Sequence, residues 1–178
     1  SQTVENVCDQ SISDIQLDTE PAWNWQLSLS GKRLTSTNPI PMAMNQINEI
    51  EGHAEHWQSL YTILTELFVN ALDHGVLGLT SELKNSAEGF SQYFEERELR
   101  LKNLEEGSVV LQIRLYPFHN GGRIIINIQD SGQGFDILGV IKDNSIAVND
   151  GIKLSGRGVE LVNQLCDTLE YQEQGTLV

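Results

Sequence analysis

The chain has 178 residues, 39% hydrophobic and 20% charged, the make-up of one globular domain large enough to bury its own core. Its 25 acidic residues against 11 basic ones give a formal charge of −14, which makes DNA, RNA and anionic membranes poor partners. No apolar run approaches the roughly 20 residues needed to span a bilayer. No basic-then-apolar leader opens the sequence, and Cys8 and Cys166 have no metal-ligand spacing, so a reducing cytoplasm without a disulfide is the expected setting.

Residues 1–21 are polar and acidic and read as a linker or N-terminal arm; 22–178 read as the folded domain. Trp23-Asn24-Trp25-Gln26-Leu27-Ser28-Leu29-Ser30 alternates with the period of a half-buried strand. Thr37-Asn38-Pro39-Ile40-Pro41 breaks the chain and opens a helix predicted over 42–51. A second helix is predicted over 55–74, with Leu60, Leu64, Leu67, Phe68 and Leu72 on its apolar side and Gly75 as its stop.

Residues 78–107 read as an insertion carrying an amphipathic helix, with Phe90, Tyr93, Phe94, Leu101 and Leu104 at helical spacing. Strands follow over 109–115 and 123–129 around an Asn120-Gly121-Gly122 turn, and the second delivers Asp130 to its end. Residues 137–155 lack periodicity and read as a mobile loop. A helix over 159–166, a strand over 168–171 and an apolar Thr176-Leu177-Val178 end complete the order. Helices followed by strands with a helix between them give an α+β class, a two-layer sandwich with helices on one face of a mixed sheet.

Three segments carry chemistry. Glu66, Asn70, Asp73 and His74 are spaced to project from one helical face. An asparagine there is a hard oxygen ligand suited to magnesium, which takes one or two protein groups plus phosphate oxygens and water. The plain alternative is a solvated stripe of ordinary i,i+4 pairs. Asp130-Ser131-Gly132-Gln133-Gly134 at a strand end offers a carboxylate to an exocyclic amine and glycines that let a flat ring approach; a tight turn of the same composition is the rival. Ser155-Gly156-Arg157-Gly158 opens a helix, where free N–H groups suit phosphate, or it is simply a glycine-containing helix start. No GxxxxGK[ST] loop occurs.

In this order the three segments resemble the N box and the two glycine boxes of the GHKL nucleotide-binding superfamily, with Thr176 where that superfamily places a threonine beside adenine. The pattern Glu66-x-x-x-Asn70-Ala71-x-x-His74-Gly75, Asp130-x-Gly132-x-Gly134-Phe135-Asp136 and Gly156-Arg157-Gly158 is most similar to the anti-sigma-factor serine kinases. The segment from Leu77 through Tyr93, Arg97 and Leu101 to Gly107 is similar to the kinase-like module at the C-terminus of bacterial response regulators that carry a serine phosphatase domain.

The resemblance implies an ATP- and magnesium-dependent protein serine kinase with a GHKL-type fold and an ATP lid over 137–155. Asn70 would hold the metal and Asp130 would read the adenine amine. Gly132, Gly134, Phe135, Gly156, Arg157 and Gly158 would shape the pocket, with Asp73, His74 and Thr176 beside it. Glu66 would be the base acting on a serine hydroxyl of an anti-sigma-factor antagonist. The implied partners are that antagonist or a sigma factor, with a phosphatase or receiver region upstream and a homodimer left open. Two departures stand beside it: Lys142 and Lys153 are the only recognisable cations between the glycine boxes, and the simplest anti-sigma kinases lack the 78–107 insertion. The alternatives are a nucleotide-binding module that sequesters a partner without efficient transfer, and a GHKL ATPase or histidine-kinase-type ATP-binding domain. Glu66 favours transfer to a hydroxyl, a poorer nucleophile than imidazole.

Overall fold

A computed structural model describes residues 20–52, 56–80, 84, 86–119, 121–133, 157–172 and 176–178. Strand β1 (Trp23–Ser30) pairs antiparallel with β2 (Ser108–Phe118), and β2 pairs antiparallel with β3 (Gly121–Asp130). The alternation expected for β1 is present: Trp23, Trp25, Leu27 and Leu29 face inward while Asn24, Gln26, Ser28 and Ser30 are exposed. Because directly opposite residues share a face, Trp25–Ile113–Ile126 and Leu27–Leu111–Ile128 form rows toward the core. The other face carries a polar ladder, with Gln112 donating to Asn24 at 3.0 Å and Arg114 donating to Asn127 at 3.0 Å.

The chain end runs beside β3. Ile128 and Val178 exchange backbone hydrogen bonds of 2.8 and 3.0 Å, and Leu177 bridges antiparallel to both Gln129 and Gln172. Every pairing among the described residues is therefore antiparallel, which corrects the mixed sheet expected from the order of elements. The strand expected over 168–171 is likewise absent, since that stretch makes no ladder and only the Gln172 bridge follows it. The β2–β3 reversal falls between Phe118 and Gly121, so Gly121 and Gly122 belong to the strand rather than to the turn.

Helices cover the apolar rows. After the short α1 (Arg33–Ser36), α2 spans Pro39–Glu51 and begins three residues before the predicted start. A proline in the first helical position loses no hydrogen bond, and Asn38 caps the helix by accepting from Ile40 N at 3.2 Å. Helix α3 (Trp57–Asn70) buries Leu60, Ile63, Leu64, Leu67 and Phe68, each worth about 1.5–3 kcal/mol when fully removed from water. Trp23, Trp25 and Trp57 all pack against the core, and the Trp23 indole donates to Glu51 at 2.7 Å.

The helix expected to continue to His74 changes instead into a π-helical segment, Ala71–Val76. Single widened turns of this kind concentrate at functional sites. Helix α4 (Ala87–Lys102) lies in the expected insertion, capped by Ser86 accepting from Gly89 N at 3.0 Å. Helix α5 (Arg157–Leu165) packs on α3, with Val162 fully buried. No helix among the described residues is long and apolar enough to cross a membrane.

Candidate functional site

The π-helical segment, the end of β3 and the start of α5 meet at one edge of the core. Asp130 lies opposite Val109 in the register, so its side chain continues the core-facing row toward the helices. There it presses on Gly75: a Cβ built on Gly75 would overlap the Asp130 carboxyl group. A Cβ on Gly132 would in turn overlap the Gly75 carbonyl. The wide turn after Asn70 thus carries Gly75 onto the carboxylate, and a side chain at Gly75 would force Asp130 or the segment to shift. Asp130 Oδ1 accepts from Gly132 N at 2.8 Å, and Asp130 N donates to the Thr176 carbonyl at 2.9 Å. Burial pushes the Asp130 carboxyl above the ordinary range, against the opposing pull of the Gly132 N–H.

Glu66 is half-buried on α3 and reaches the first turn of α5, where a Cβ on Gly158 would overlap its Oε2. A carboxylate there interacts favourably with the positive end of α5. Asn70 is the last residue of α3 and is also half-buried. Sequence motifs separated by dozens of residues are therefore joined by two close contacts at glycines, Gly75 with Asp130 and Gly158 with Glu66, where an added Cβ would displace the carboxylate or the backbone.

Asp73 is 2% exposed and fully engaged: Tyr93 donates to Oδ2 at 2.7 Å and Arg97 Nε donates to Oδ1 at 2.7 Å. Burial first, then the Asp73 carboxylate, holds the Tyr93 phenol well above its usual range. His74 Nδ1 lies 2.6 Å from the Leu79 carbonyl, which can only accept, so that nitrogen carries the proton. Both residues, expected beside the nucleotide, have their polar groups turned to partners at the exit of the π-helical segment and on α4. Arg100 strengthens the same join, donating from Nη1 to the carbonyls of Leu77 at 2.6 Å and Gly78 at 3.0 Å.

The charged run over 95–100 on α4 divides between two faces: Arg100 pairs with Glu96 at 2.8 Å, whereas Arg97 turns inward to Asp73. Conversely, Phe90 and Phe94, read as part of the apolar side, are 44% and 49% exposed, and Tyr93 between them is buried. Tyr93, Arg97 and Arg100 recur at helical spacing, the one signal in the sequence that could have revealed a polar inner face. Lys84, which no motif singled out, places its ammonium 4.0 Å from the centre of the Tyr93 ring.

Gly134, Phe135, Gly156 and the expected lid over 137–155 lie outside the described residues, and Arg157 is the first residue of α5. A cleft of about 960 Å³ opens between β1, the start of β2 and Ser131, with Lys32, Arg33, Glu105 and Glu106 on its walls. All four charged side chains are exposed and none of the expected site residues lines it, so the contacts around Asp130 and Glu66, not this cleft, mark the candidate site. Among the described residues no three His, Cys, Asp or Glu side chains cluster to hold a metal. Magnesium held by one asparagine and phosphate oxygens requires no such cluster. No family model, no curated protein and no solved structure matches the chain.

Proposed function

We propose that this is a GHKL-type domain that binds ATP with magnesium and transfers the terminal phosphoryl group to a serine of an anti-sigma-factor antagonist. One observation carries the reading: glycines from two separate motifs meet the Glu66 and Asp130 carboxylates so closely that a Cβ at either would force the carboxylate or the backbone to shift. Asp130, with one side-chain hydrogen bond among the described residues, offers its free carboxylate capacity to the adenine amine. The first turn of α5 beside Gly158 supplies N–H groups suited to phosphate. Asn70 would hold magnesium, which would neutralise charge on the phosphates. Glu66, one helical turn before Asn70, accepts the proton of the attacking serine hydroxyl or orients it.

A second reading has its own observation. Glu66 rests against the start of α5, where a carboxylate also serves as a structural anion, and this supports a nucleotide-binding module that sequesters its partner. Glu66→Gln separates the two. In the kinase reading, ATP affinity stays near wild type while phosphorylation of the antagonist protein falls by a factor on the order of 10² to 10⁴. Labelled ATP incubated with candidate antagonists gives the readout. Transfer by Glu66→Gln at the wild-type rate removes Glu66 as the base, and nucleotide binding by the wild type without label on any partner favours the sequestering module.

A further inference from the structure

We propose that Lys84 is a phosphate-binding cation of this site, carried by the insertion and directed at the terminal phosphate of a nucleoside triphosphate beside Glu66. The inference rests on the nucleotide-binding reading above. A nucleoside triphosphate brings several negative charges into a site that already holds the Glu66 and Asp130 carboxylates. Cations must offset that repulsion. Among the described residues Arg97 is committed to Asp73, and Arg100 to Glu96 and to the carbonyls of Leu77 and Gly78. Lys84 is different. It is half-buried, lies over the Tyr93 ring, and its ammonium makes no hydrogen bond or ion pair with the described residues.

The position of Lys84 is set through a short chain of contacts. Tyr93 under its ammonium donates to Asp73, which lies three residues beyond Asn70. Burial acts most strongly on its charge; the carboxylates of Asp73 and, less strongly, Glu66 favour it, and the Arg97 guanidinium opposes it. Neither carboxylate forms an ion pair with the Lys84 ammonium among the described residues, which leaves it to an incoming anion. Burial disfavours the charged amine and lowers its pKa, and a phosphate within reach would restore the charged form. ADP lacks the terminal phosphate, so the contact discriminates between the two nucleotides.

The test is calorimetric titration of ADP and of a non-hydrolysable ATP analogue, each with magnesium, into the wild type, Lys84→Met and Lys84→Arg. Methionine keeps an apolar stem on the Tyr93 ring and removes the charge. The expected result is an analogue affinity about 10- to 100-fold lower in Lys84→Met, with ADP affinity unchanged and the preference retained in Lys84→Arg. An unchanged analogue-to-ADP ratio in Lys84→Met overturns the assignment and leaves nucleotide binding intact. A wild type that binds neither nucleotide removes the underlying reading, and this inference with it. A second measurement needs no variant: acylation of Lys84 in the wild-type protein should be suppressed by the analogue but not by ADP, and equal protection by both also overturns the proposal.

Discussion

Two carboxylates stand at the same edge of the core in opposite situations. Asp73, in the π-helical segment, is almost fully buried and receives a phenol and a guanidinium from α4. Asp130, at the end of β3, is half-buried and receives one backbone N–H, and its pKa is raised by desolvation. A charge with two strong partners serves the fold, because breaking the set strands the others. A carboxylate desolvated with little compensation costs the empty protein stability, and that cost is offset when a ligand supplies the missing donor. The contrast separates the residue that fastens the insertion from the residue poised for a ligand, although both belong to motifs of the same apparent kind.

The largest effect is expected at Asp73. Asp73→Ala leaves Arg97 and the Tyr93 hydroxyl without their acceptor and should destabilise the domain by about 3–5 kcal/mol. Urea unfolding measures it, and a loss below about 1 kcal/mol would remove the fastening role. Gly75→Ala comes next. Its Cβ would overlap the Asp130 carboxyl group, so either the π-helical segment or β3 must shift, at about 1–3 kcal/mol. Wild-type stability in Gly75→Ala would mean that the carboxylate moves aside freely and that the contact is not a constraint.

Asp130→Asn sharpens the other half of the comparison. Asparagine retains an oxygen for the Gly132 N–H but loses the charge that reads an amine. Affinity for adenine nucleotides should fall by about 1–3 kcal/mol while the empty domain becomes no less stable. The opposite pattern, lost stability with unchanged nucleotide affinity measured by calorimetry, would make Asp130 a second structural carboxylate and dissolve the distinction.

Legibility in the sequence followed the reach of each signal. The alternation of β1 was readable because one face meets the core and the other meets water, a property local to eight residues. The existence of α4 was readable from spacing, but its orientation was not. Arg97 turns inward only because Asp73, far back along the chain, is buried and needs a partner. The π-helical segment was hidden for a related reason: Ala71 to Val76 has the composition of an α-helix end, and the turn widens where Gly75 meets Asp130. Of the candidate site, the glycines and acids were visible as motifs. Lys84 was not, because its significance comes entirely from what Tyr93, Asp73 and Glu66 place around it.

The smallest expected effect lies in the pH dependence at Asp130. Its folded pKa is raised above the ordinary carboxylate value, so the associated stability is fully present below the unfolded pKa of about 4 and is lost as pH rises through the folded value. Over that window the wild type should lose stability relative to Asp130→Asn, which binds no proton there. Nucleotide reverses the balance, because an amine donor favours the charged carboxylate and draws its pKa back down. Binding should then release a proton from Asp130, and affinity should rise with pH until the free-state pKa is passed. Calorimetry in buffers of different ionisation enthalpy, with wild type and Asp130→Asn compared at each pH, isolates this proton from those of the nucleotide. Identical proton release in the two proteins would show that Asp130 does not meet the ligand, whatever its burial.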